Sequence, residues 1–110
     1  MKTLHTNDGL FQITVFEDIR VARIYLTKEG RSSLGEIITM VPRLNEGRVV
    51  KPDQPIFSLE TTRALKCLVS PVGGHIVRIN PLVDQNPNDI TSEDCIMELH
   101  PINGWSSCIV

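Results

Sequence analysis

The chain has little of what makes a sequence easy to assign. It has three cysteines among 110 residues, Cys67, Cys95 and Cys108. That odd, widely spaced set gives no disulfide framework and no CxxC metal pair. Cys67 and Cys95 sit in apolar strand patterns and read as small buried hydrophobes in a reducing compartment, and Cys108 as exposed near the chain end. His5, His75 and His100 are too far apart in sequence for a metal-ligand spacing. No apolar run approaches the ~20 residues of a membrane helix. The opening "MKTLHTNDGLFQITVFEDIR" has no apolar stretch before its charges resume, so no secretory leader is expected. The net charge is −2 with scattered Lys and Arg, which leaves no electrostatic footprint for nucleic acid. There is no GxSxG, no phosphate-binding loop and no paired carboxylates in a recognisable cleft motif, so an enzyme is not expected.

Helical periodicity is also nearly absent, and short strands take its place. "LFQITVF" (10–16) alternates Phe11, Ile13 and Val15, and "IRVARIYL" (19–26) is rich in β-branched residues. "EIITMV" (36–41), "PIFSLETT" (55–62), "LKCLV" (65–69), "HIVRI" (75–79) and "CIMEL" (95–99) are further strands. "TKEGRSSLG" (27–35) reads as a short helical turn capped by Thr27 and weakened by Gly30. "NPLVDQNPNDITSED" has the Asn/Asp/Pro chemistry of a loop. The class is all-β, a small sandwich or barrel with at most one or two short helices. One domain spans 1–100, and 101–110 forms a tail that carries the only tryptophan, Trp105. The tail packs back on the sandwich, docks a partner or a second copy, or is loose.

An internal echo sharpens the architecture. "GEIITMVP" (35–42) and "GHIVRINP" (74–81) share glycine, isoleucine and proline at the same offsets, 39 residues apart (74 − 35). Each is followed by a loop and an apolar strand, "PIFSLE" or "CIMELH". Two copies are too few for a solenoid. They predict a flattened sandwich with approximate two-fold symmetry. The expected core includes Ile37, Val41, Phe57, Leu59, Cys67, Val69, Ile76, Ile96 and Leu99. Leu65, Cys67 and Val69 share a parity that reads as core-facing, which puts Lys66 and Leu68 on the outer face. Gly47 and Gly74 are expected to supply turns with positive φ.

The polar tip "ETTRA" lies between two of these strands and puts Arg63 at an apex, with Thr61–Ala64 as the turn. Glu60, Thr61, Thr62 and Ala64 flank it.

Several stretches together resemble the glycine cleavage system H-protein, a relative of lipoyl and biotinyl carrier domains. They are "YLTKEGRSSLGEII", the ungapped run from Gly47 to Asn80, and "DQNPNDI". Within them Ser70, Pro71, Gly74, Asn80, Asn86 and Pro87 fall in place. The resemblance covers about residues 11–99 and implies a barrel-sandwich hybrid. It also implies a lipoyl arm on a tip lysine, but the matching position is Arg63. A family glycine is likewise replaced near Asp53.

Amide attachment needs an ε-amine that can lose its proton. A guanidinium has no such nitrogen, because its lone pair is delocalised and its pKa exceeds 12. The resemblance therefore implies a carrier-type module with no lipoyl group at the usual position. Such a module docks, without catalysis of its own, on glycine cleavage or lipoylation enzymes in the cytoplasm, or in the mitochondrial matrix if eukaryotic. Self-association is a further possibility. The alternative is a working lipoyl carrier modified at Lys66 or another lysine. A biotin carrier fits less well, since that family sets Met on both sides of its lysine.

Overall fold

Phe11–Phe16 and Val21–Leu26 alternate as strands should, and they pair antiparallel as β2 and β3 in the computed structural model, which describes residues 1–101. β1 (Lys2–His5) flanks β2 on one side. On the other side of β3 the sheet continues through β9 (Cys95–His100), β8 (Gly74–Ile79) and the short β5 (Val49–Val50). A second sheet holds β4 (Ile37–Pro42), β6 (Pro55–Thr61) and β7 (Leu65–Val69), with β6 in the middle. Their inner faces share one core, in which Phe57, Leu59 and Ile56 meet Ile13, Ile24 and Leu99. This is the flattened β-sandwich expected. Among the described residues no helix is long and apolar enough to cross a membrane. Trp105 and Cys108 lie outside the described residues.

The two helices are short. α1 (Lys28–Leu34) starts on Thr27, whose Oγ1 accepts the Gly30 N–H at 2.8 Å. Gly30 costs helix propensity but is needed for packing, since a Cβ there would stand 2.6 Å from the Leu10 carbonyl oxygen. α2 (Leu82–Gln85) is a single turn within the long polar loop, with the Asn80 side chain accepting the Leu82 N–H at 2.9 Å. A 3-10 turn, Pro87–Asp89, follows it.

The echo has a structural counterpart. In the first copy β4 pairs antiparallel with β6, and in the second β8 pairs antiparallel with β9, one pair in each sheet. Even the irregularity repeats: the ladder shifts between Ile37 and Thr39 and again, 39 residues on (76 − 37), between Ile76 and Arg78.

That bulge overturns one expected core position. The extra residue lets Ile37 and Met40 both face inward, so Val41 points out and is 52% exposed. A second error affects all of β7. Phe57 opposes Leu68 and Leu59 opposes Lys66, so an odd-numbered inner face on β6 meets an even-numbered one on β7. Leu68 is therefore buried, whereas Leu65 (81%), Cys67 and Val69 (39%) are exposed. Register slips of one residue exchange whole faces. Lys66 has the parity of Leu68, not the outer-face parity expected, and stays exposed beside the turn that joins β6 to β7. Ile37, Phe57, Leu59, Ile76, Ile96 and Leu99 are buried as expected. Cys95 is only half-buried.

The two glycines behave differently. Gly47 has φ +87° and turns the chain into β5, as expected. Gly74 does not have positive φ. It is required for close approach, since a Cβ there would meet the His100 carbonyl oxygen at 2.5 Å. Asp53 takes the left-handed conformation instead, with φ 67°, after Pro52 in a turn closed by Gln54 N–H on the Lys51 carbonyl at 3.1 Å. Proline followed by a positive-φ residue is the type II pattern, in which glycine usually holds the second place.

Candidate functional site

β6 and β7 end in a turn organised by a single threonine. The buried Thr61 donates its N–H to the Ala64 carbonyl at 3.0 Å. Its Oγ1 accepts the N–H groups of Arg63 and Ala64, each at 3.2 Å. Three backbone N–H groups and one carbonyl at the turn are thereby satisfied. Arg63 projects from the exposed apex between Thr62 and Ala64.

The apex is not a free arm. The Thr62 N–H donates to the Glu36 carbonyl at 3.0 Å. The Arg63 side chain lies across Gly35, and its Nη1 donates to the Ser33 carbonyl at 3.0 Å. Ser33 stands in the last turn of α1, where carbonyls lack intrahelical partners and the helix dipole favours a cation. Gly35 permits this in two ways. Its φ of +74° suits glycine, and a Cβ would stand 3.1 Å from Arg63 Nε and 3.3 Å from Thr62 Oγ1.

Beneath the apex, Arg31 joins three segments. Its Nε donates to the Ile90 carbonyl at 2.6 Å and its Nη1 to the Gly35 carbonyl at 2.7 Å. Its Nη2 reaches the Asn88 carbonyl at 3.0 Å and Oδ1 at 3.1 Å. Asn88 Oδ1 also accepts the Ile37 N–H at 2.9 Å. Nothing in the sequence singled out Arg31, because most of its partners are backbone carbonyls, up to 59 residues away.

The structure thus groups Thr61, Thr62, Arg63 and Ala64 with Ser33, Gly35 and Glu36. Glu60 is exposed in the ladder opposite Leu65, and Lys66 lies opposite Leu59. Gly47 and Gly74 belong to turns and packing elsewhere and are not part of the apex. Among the described residues there is one salt bridge, Arg23 to Glu98 at 3.5 Å, and it does not involve the apex.

The family model described as Glycine cleavage H-protein matches residues 11–103. The glycine cleavage system H protein of Bacillus subtilis is 33% identical over 66 residues, which are 60% of this chain and 51% of that protein. The one from Halalkalibacterium halodurans is 35% identical over 65 residues, 59% of this chain and 50% of that one. The mitochondrial H protein of Mesembryanthemum crystallinum is 29% identical over 104 residues, 87% of this chain and 63% of that one. The match thus spans about half the length of the two bacterial relatives. A crystal structure of a glycine cleavage system H protein from Mycobacterium marinum superposes with a TM-score of 0.73, covering 90% of this chain and 83% of that one at 19% identity. That likeness concerns the fold alone.

The apex does not fit the lipoyl group that the resemblance implies. Position 63 offers a guanidinium already committed to Ser33, and no amine. With an arginine at that apex, the chain belongs to the glycine cleavage H-protein family.

Proposed function

We propose that this chain is a carrier-type module of glycine cleavage that bears no lipoyl group at its apex. It acts by docking, as a scaffold, competitor or regulator, on glycine cleavage or lipoylation enzymes, and it turns over no substrate itself. We place it in the cytoplasm, or in the mitochondrial matrix if the source is eukaryotic. One observation carries this reading: the apex residue is Arg63, held against the end of α1 by its bond to Ser33. The rest of the frame supports docking, because the Thr61 turn presents Glu60, Thr62 and Ala64 in one fixed, exposed arrangement.

The test is intact mass after co-expression with a lipoate ligase. The unmodified sequence should keep its own mass, and Arg63→Lys should gain a lipoyl group at the new lysine. A lipoyl increment on the unmodified sequence, mapped to Lys66, would make the chain a working carrier instead. A folded Arg63→Lys protein that refuses lipoate would show that the recognition surface differs as well as the nucleophile.

A further inference from the structure

β7 is an edge strand whose second edge pairs with no strand among the described residues. On its outer face it shows Leu65, Cys67 and Val69, and Val41 continues this apolar surface two strands away, beyond Ser58. An edge that is apolar and unpaired is a template for another strand. The only charge along β7 is Lys66, which has no ion pair among the described residues.

Beside the far end of β7 runs a groove of ~290 Å³, whose walls include Leu68, Val69, Leu10, Phe11 and two carboxylates, Asp8 and Asp53. Neither carboxylate has a cation partner among the described residues. Asp8 accepts from Thr6 Oγ1 at 2.6 Å and from the Leu10 N–H at 2.9 Å. These two hydrogen bonds, the Thr6 one foremost, hold its carboxyl below the usual carboxylate value and so keep it charged.

We propose that a second copy of this chain docks on the free edge of β7, antiparallel about a two-fold axis at Cys67, with Lys66 of each copy reaching the Asp8–Asp53 groove of the other. The strand is complementary to itself in this register. Cys67 is the central residue of the five in Leu65–Val69, so Leu65 meets Val69 and Lys66 meets Leu68. No two lysines face each other. Leu68 lines the groove, which puts the second copy's lysine stem on apolar surface and its ammonium among carboxylates. An isologous contact of this kind closes on itself and does not run on into a fibre. It also covers the unpaired edge. The inference stands apart from the lipoylation reading, since it makes no use of the chemistry at Arg63.

The register puts the two Cys67 residues opposite each other, with Cα atoms about 4.5–5.5 Å apart. That lies within the range a disulfide spans. The 110-residue chain in reductant and low salt should sediment at about twice 12.3 kDa, and added salt should weaken the association. Lys66→Glu should weaken dimerisation by tenfold or more, about 1.4 kcal/mol. Leu65→Glu, with far-UV circular dichroism confirming the fold, should abolish it. Copper-phenanthroline oxidation of Cys95→Ser/Cys108→Ser, which retains Cys67, should give a covalent dimer, and Cys67→Ser should not. A chain that remains monomeric at about 100 µM overturns the proposal. So does a dimer that ignores both substitutions and does not cross-link through Cys67.

Discussion

Replacing Gly35 by alanine tests how the apex is fastened. The new Cβ meets two separate obstacles. The first is the backbone, since φ +74° with ψ −155° lies outside the left-handed helical region, in a conformation that is essentially glycine's alone, and costs an L-residue roughly 1–3 kcal/mol. The second is the Arg63 side chain 3.1 Å away, which must give way and release the Ser33 carbonyl. That exposed, charge-assisted hydrogen bond contributes about 0.5–1 kcal/mol. Gly35→Ala should therefore destabilise by about 1.5–4 kcal/mol, a fall in Tm of roughly 6–32 °C for a domain of this size. The diagnostic result is a double-mutant cycle. Arg63→Ala should cost ~0.5–1 kcal/mol alone and close to nothing once Gly35→Ala is present, because the bond is already lost. Urea unfolding followed by far-UV circular dichroism measures all four corners. An unchanged cost of Arg63→Ala in both backgrounds would show that the guanidinium is not held across Gly35.

Two further outcomes follow from burial. Leu59→Ala empties a core site that is 2% exposed and should cost about 2–5 kcal/mol in the same unfolding assay. Cys95 should react with iodoacetamide more slowly than Cys67 at neutral pH, because burial raises the Cys95 thiol pKa and the nearby Glu98 carboxylate adds to the effect. Its rate should climb only at higher pH as the thiolate forms, and peptide mapping after timed alkylation separates the two cysteines.

How much of this was legible from the sequence depends on the range of each interaction. Strand positions, the Thr27 cap and the exposed Arg63 turn are written in residues a few places apart. The 39-residue echo was visible as letters, but its bulge was not, because an extra residue in β4 leaves no compositional mark. Val41 therefore faces solvent although simple alternation points it inward. In β7 the residue types mislead, because Leu65, Cys67 and Val69 are apolar and Lys66 is charged, which suggests the reverse of the faces observed. The pairing with β6, and not hydrophobicity, sets those faces. At the apex, the clash of arginine with lipoyl chemistry could be read from residue type alone. The partners of Arg63 and Arg31 could not, since they are mostly main-chain oxygens and only the fold brings them within reach.

The apex is held in two ways, and the two differ in how they form. Thr61 bonds to Ala64, three residues on, so that loop closes with almost no topological cost. Thr62 and Arg63 bond to Glu36 and Ser33, across separations of 26 and 30 residues (62 − 36 and 63 − 33). Those contacts wait until β4, β6 and the end of α1 have assembled. A partly folded chain can carry the bend without its backing. Only the completed tertiary structure gives the loop its fixed orientation, and a binding partner that grips both the bend and Ser33 would thereby distinguish finished molecules from nascent ones.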